Sequence, residues 1–232
     1  IAALARTFKH VPREGEQPKP GAVSADETAM GFVPFLRSYT TDVYPDTVPT
    51  ADERGTKPAR TFASRGEFEP LQFACRAVKD VTISAAMSDL TGPGTLRAGK
   101  DVKVYRIQSM PMRVASSWGK SYRVMPVSRR PNEPVALSAG TSQSWYVVIH
   151  VPADAPAGTY KGTFTLSSKG GKAAFPVELR VLPFALDKAD HLARGPYVSG
   201  MLTDDYLQDL VDHGMNSMSP WAAGGIRPKM AD

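Results

Sequence analysis

The sequence has few of the groups that carry most enzyme chemistry: one cysteine and four histidines in 232 residues. A single thiol, Cys75, excludes an intrachain disulfide. It sits in the alternating run Leu71, Phe73, Cys75, Ala77 with no histidine nearby in sequence. That setting predicts a small buried side chain rather than a nucleophile. His10, His150, His191 and His213 are far apart and lack ligand spacing, so neither a metal nor a cofactor is expected. There is no glycine-rich phosphate loop leading into a helix and no Gly-x-Ser-x-Gly elbow. No apolar run approaches the roughly 20 residues of a membrane helix, so no membrane span is expected.

What is present is turn chemistry and alternation. Twenty prolines and nineteen glycines favour many short strands separated by turns. Hydrophobic residues make up 42% and charged residues 22%, ordinary for a globular chain able to bury a core. The net charge is +5. A nucleic-acid binder would gather that charge on one face. The basic residues read as spread along the chain, densest at Arg123, Arg129 and Arg130, so a solvated surface is expected and a nucleic-acid partner is not. An anionic polymer is the alternative ligand. Ile1-Ala-Ala-Leu-Ala5 fits the tail of a removed targeting segment, and a secreted or periplasmic bacterial location is expected.

Residues 1–29 read as a flexible leader, since lysine, proline, glycine and glutamate dominate from residue 9 without apolar periodicity. Tyr44-Pro45-Asp46-Thr47-Val48-Pro49 cannot be helical, because each proline pushes its predecessor toward extended geometry. From residue 60 the period is two. Leu71, Phe73, Cys75 and Ala77 share one face, as do Val81, Ile83, Ala85 and Met87. After Gly92-Pro93-Gly94 come Val102 and Val104, with a bulge expected before Ile107. Trp145, Val147, Ile149 and Val151 alternate, followed by Tyr160, Phe164 and Leu166, then Phe175, Val177, Leu179 and Val181. The expected fold class is therefore mainly β, with an antiparallel β-sandwich over residues 30–186.

Residues 187–196 form a polar linker, after which the pattern changes. Tyr197 to Leu202 predicts a strand. Thr203 is a helix N-cap, with Asp204 and Asp205 in the first turn. Tyr206, Leu207, Leu210 and Val211 make an apolar stripe, and Gly214 ends the helix in a left-handed conformation. Residues 216–219 begin another strand. This is a βα unit. A lone unit cannot bury its own faces, so its continuation is expected beyond Asp232.

Three segments carry a resemblance. Ser64-Arg-Gly-Glu67-Phe-Glu69-Pro70-Leu-Gln-Phe73 is similar to the "GEYEP" segment of the N-terminal domain in glycoside hydrolase family 123 and its relatives. Trp145-Tyr-Val-Val-Ile-His-Val-Pro152, with Asp154-Ala-Pro-Ala-Gly158-Thr-Tyr160-Lys-Gly162, resembles that domain's "W-x-V-x-VP-x-DAPAG-x-Y-x-G" stretch. Asp209-Leu-Val-Asp-His213-Gly-Met-Asn216-Ser217 resembles the "HGMN" end of the first barrel helix. The resemblance implies a sandwich followed by a truncated (β/α)8 barrel, with residues 197–232 as its first βα unit. It further implies a glycan substrate and β-N-acetylgalactosaminidase activity. A neighbouring Asp-Glu pair on a later barrel strand would act there, the glutamate protonating the leaving oxygen and the aspartate orienting the substrate's acetamido group.

No residue of this chain is assigned a catalytic role. Glu67 and Glu69 point to one face of a regular strand, where two charges on a solvated edge are commoner than an acid–base pair. Asp204 and Asp205 suit the helix N-terminus. Aromatic rings stack on sugar faces, so the sugar-binding candidates are Trp118, on an expected loop, with Tyr197, Ser199 and Trp221 near the ends of the expected barrel strands. Each also has a packing reading. The rival to the hydrolase-domain expectation is a non-catalytic carbohydrate-binding or scaffolding module.

Overall fold

The computed structural model describes residues 9–11, 18–114, 120–186, 191–198 and 203–220. The chain divides into two compact units, residues 1–185 and 186–232. In the first lie strands β1 (Lys9–His10), β2 (Phe32–Leu36), β3 (Ala59–Arg65), β4 (Phe68–Ala77), β5 (Val81–Met87), β6 (Leu90–Thr91) and β7 (Thr95–Leu96). They are followed by β8 (Val102–Arg113), β9 (Ser121–Pro131), β10 (Val135–Leu137), β11 (Ser142–His150), β12 (Gly158–Ser168) and β13 (Gly171–Ala185). A short helix, α1 (Ala25–Met30), precedes β2. The unit is mainly β.

One sheet runs β1-β9-β8-β11-β4-β2 and the other β10-β5-β12-β13-β3, with the β6–β7 hairpin attached to β12. Their inner faces share one core. Trp145, Val147 and Ile149 of β11 and Phe73 and Cys75 of β4 meet Ile83, Tyr160, Phe164, Phe175 and Leu179 from the other sheet, all fully buried. The period-two expectation holds along β11, while on β4 the inward row Leu71, Phe73, Cys75 is kept but Gln72 and Ala74 between them are buried as well. Stripping water from rings of this size is the main driving force for the packing, about 1.5–3 kcal/mol for each buried Phe.

Not every pairing is antiparallel. β3 lies parallel to β13, with Val177 opposite Ala59, and β1 lies parallel to β9. The reason is connectivity: β3 passes to β4 in the opposite sheet through Ser64–Glu67 instead of returning as a hairpin. Gly66 turns that corner at φ 79°, a backbone conformation glycine adopts without strain. The expected bulge before Ile107 also moves. The β8–β9 register shifts between Gln108 and Ser109, and Ile107 projects from the face opposite Val102 and Val104.

Two further features were not among the expectations. Ser24 and Glu27 form a reciprocal capping box at the start of α1, and Gly31 closes it at φ 83°. Glu27 also receives the Arg54 guanidinium at 2.8 Å. The helix thus begins inside the stretch read as a leader, residues 1–29, and ends one residue beyond it. Secondly, β4 is buried on both faces, because residues 38–50 cover its outer side. Gln72 donates to the Ser38 and Thr41 carbonyls at 3.0 and 2.9 Å, and Ala74 packs with Phe35 and Val43.

The second unit holds β14 (Tyr197–Val198), α2 (Asp204–Asp212) and β15 (Ser219–Pro220). Thr203 caps α2 through a bond from the Tyr206 amide at 3.3 Å, and Gly214 follows at φ 77°. β14 and β15 pair in parallel. Asn216 ties the loop together, accepting from the Arg194 amide at 2.8 Å and donating to the Leu192 carbonyl at 2.9 Å. No described helix is long and apolar enough to cross a membrane.

Candidate functional site

The motif residues are first of all structural. Glu67 accepts from the Ser64 amide at 2.7 Å and hydroxyl at 3.0 Å, fixing the crossing from β3 to β4. Gly158 sits at φ 141° against Pro93, and a side chain on Gly162 would strike the Asp89 carbonyl oxygen at 2.6 Å. The buried Tyr160 hydroxyl donates to the Pro156 carbonyl at 2.8 Å, a tyrosine-corner bond back to the chain a few residues upstream. These contacts account for "DAPAG-x-Y-x-G" as folding chemistry.

Several grooves open among the described residues of the first unit, and two of them are wide enough to weigh as sites. The larger, about 650 Å³, runs past Met30, Lys79, Asp80 and Ser168. Its polar groups are committed to the fold: Lys79 donates to the Thr28 carbonyl at 2.9 Å, Asp80 accepts from the Ala139 amide, and Ser168 donates to the Met30 carbonyl. The smaller, about 300 Å³, lies along Ser38, Tyr39, Arg60, Thr61 and Glu69. Here polar groups of several kinds face an opening, and this groove is the better candidate site.

Its geometry is built by three elements. β4 delivers Glu69 and β3 delivers Arg60 and Thr61. The segment after β2 brings Arg37, Ser38 and Tyr39. Arg37 is locked by a fork to Glu53, at 2.6 Å from Nε and 2.8 Å from Nη2. Glu69 accepts a hydrogen bond from the Thr61 hydroxyl. Burial pushes the Glu69 carboxyl up, the Thr61 bond pulls it down, and the negative charge of Glu67 pushes it up again; the net position lies above the ordinary carboxylate value. Tyr39 is 44% exposed. An aromatic ring, a carboxylate, a guanidinium and a hydroxyl at one opening can bind a polyol through ring contact and paired hydrogen bonds. They do not form an acid–base pair, since Glu67 is held by Ser64.

Of the sequence-derived sugar candidates, Tyr197 begins β14 and is 79% exposed. Trp118, Ser199 and Trp221 lie outside the described residues. Sequence reading missed Tyr39, Arg60 and Thr61. Only Glu69 carried a signal, as a motif carboxylate, because the groove forms where three separate segments converge. Among the described residues, no group of three or more His, Cys, Asp or Glu side chains gathers as a metal site.

No family model matches the sequence, and no curated protein matches it. Among solved structures, the CooA pilin subunit from enterotoxigenic Escherichia coli is 12% identical, with 65% of this chain and 99% of that chain covered at a TM-score of 0.31. The N-terminal domain of PorA is 10% identical, covering 66% and 99%, at 0.30. Likenesses that slight carry no argument. A family 123 glycoside hydrolase from Clostridium perfringens, described for glycolipid glycan hydrolysis, matches at a TM-score of 0.60 and 11% identity. The match covers 73% of this chain and 30% of that chain, so this chain spans less than a third of the hydrolase's length. At this identity the likeness is one of fold: the chain is similar in fold to part of a family 123 glycoside hydrolase.

Proposed function

We propose that this chain is the non-catalytic N-terminal part of a glycoside-hydrolase-like protein. Its mainly β unit serves as the accessory sandwich, and residues 197–220 open a (β/α)8 barrel whose hydrolytic carboxylates lie on strands outside the chain. The observation that carries this reading is the likeness of fold to the family 123 hydrolase at a TM-score of 0.60. The parallel pairing of β14 with β15 around α2 supports the barrel half, because a parallel pair joined by a helix is the repeating unit of that fold. On this reading the ligand is a glycan ending in an N-acetylhexosamine, and the protein works outside the cytoplasm. The first unit offers sugar contacts at the Glu69 groove and Trp118, and the second unit, taken by itself, offers them at Tyr197, Ser199 and Trp221.

The composition of the groove favours a second reading, a free-standing carbohydrate-binding module. Both readings are tested by presenting the chain to a glycan array and, separately, to an aryl N-acetyl-β-galactosaminide. Binding that Tyr39→Ala weakens, without turnover of the aryl glycoside, is the expected result. Turnover abolished by Glu69→Gln would overturn the non-catalytic assignment, and an empty array would overturn the glycan-binding role.

A further inference from the structure

The positive charge of this protein is concentrated in one hairpin. Between Val102 and Asn132 there are seven lysines and arginines and no aspartate or glutamate. The net charge of the whole chain is +5, so everything outside this stretch is slightly acidic taken together. In sequence the group reads as a few arginines on β9. Antiparallel pairing lays β8 against it and sets Arg106 directly opposite Arg130. Like charges facing each other across a strand pair destabilise it.

The hairpin is also an arm. β11 pairs with β8 only from Val102 to Arg106, and β1 meets β9 only at Ser121 and Tyr122. Beyond Arg106, β8 pairs with β9 alone. Ile107 and Tyr122 are buried on one face of this two-stranded ribbon, and the other face, with no third strand to pack on, would ordinarily be polar. Instead the ribbon carries Met110, Pro111 and Met112 on one strand, and Val124, Met125, Pro126 and Val127 on the other. Met112 is 38% and Val127 44% exposed. Protection of a sheet edge would explain charge, proline and a bulge on β9. It does not explain methionines on β8 or the complete lack of acidic residues.

We propose that the β8–β9 arm docks this protein on an anionic lipid surface, its arginines and lysines meeting headgroup phosphates while Met112 and Val127 enter the boundary with the acyl chains. Charge complementarity selects the anionic surface, and the exposed aliphatic side chains between the cations select lipid over a hydrated polyanion. The inference rests on the arm alone, so loss of the glycan-binding reading would leave it standing.

The test is co-sedimentation of the chain with phosphatidylcholine vesicles, with and without about one third phosphatidylserine, at low and high salt. Binding to the anionic vesicles at least about tenfold stronger than to the neutral ones, and weakened by salt, is expected. Arg130→Glu should abolish most of it while easing the repulsion with Arg106, so the variant should stay folded by circular dichroism. Met112→Asp, at an exposed position, should weaken binding too. Lys172→Glu, the same charge change on exposed β13, should not. Equal binding to both vesicle types would overturn the proposal. So would binding to heparin or duplex DNA that matches the vesicle binding and is indifferent to Met112→Asp, which would assign the arm to polyanions instead.

Discussion

The Phe73 ring of one sheet stacks on the Phe164 ring of the other, with centroids 4.1 Å apart and planes 15° from parallel. Phe175 meets Phe73 edge-on at 5.2 Å. This trio joins the two layers at the centre of the core, where no water can fill a space left behind. Phe164→Ala is expected to cost about 3–5 kcal/mol, the usual loss for removing a fully buried ring. Urea unfolding followed by tryptophan fluorescence measures it, and a midpoint unchanged from the parent would show that the layers are held elsewhere.

Gly162 lies where β12 passes beneath the turn before β6. A Cβ there would come within 2.6 Å of the Asp89 carbonyl oxygen and 2.8 Å of Leu90 Cδ2. The oxygen belongs to the backbone and cannot swing aside, so Gly162→Ala forces β12 and the β6–β7 hairpin apart. A destabilisation of about 1–3 kcal/mol is expected, read as a lower denaturation midpoint.

Acid should weaken this fold through two ion pairs. At Glu53, burial alone would raise the carboxyl, but the bonds from Arg37 and the Thr50 amide, with the guanidinium charge, hold it below the ordinary value. At Glu27, burial is likewise outweighed by the Ser24 amide and by Arg54. A carboxyl lowered in the folded state stabilises fully above its unfolded value of about 4.3 and loses that contribution as pH falls through the folded value. The denaturation midpoint should therefore drop as pH falls below about 4.3. Glu53→Gln should flatten that slope, and an identical slope in the variant would show that other groups set it.

Glu69 has the opposite sign. Its carboxyl is raised by burial and by Glu67, so folding disfavours its charge at neutral pH. Glu69→Gln is expected to leave stability at neutral pH unchanged or slightly higher while lowering affinity for any glycan held in the groove. A large loss of stability would mean that the Thr61 bond needs the carboxylate.

Cys75 is fully buried, and burial pushes its thiol well above the ordinary cysteine value. It should resist a thiol reagent such as DTNB in the native protein and react at once in urea. Rapid native labelling would indicate opening of β4.

Much of the first unit was legible in the sequence. The inward rows on β4, β11, β12 and β13 follow from period two alone, because alternate side chains on a strand share a face. Thr203 and Gly214 could be read as the ends of α2, because capping is decided within a few residues. The capping box at Ser24 and Glu27 was equally local, yet a helix of six residues carries too little apolar periodicity to stand out.

What only the tertiary structure decided depends on pairing between distant segments. The parallel placement of β3 beside β13, the cover over the outer face of β4, and the groove at Glu69 all arise where stretches tens of residues apart come together. The single cysteine and the alternating rows determined a disulfide-free, mainly β chain, since those are properties of composition and of nearest neighbours. The arm shows the difference most directly. Its seven basic residues are written in the sequence, but strand register alone sets Arg106 against Arg130 and puts Arg123 on the same face opposite Met112, with Arg129 on the other face opposite Ile107.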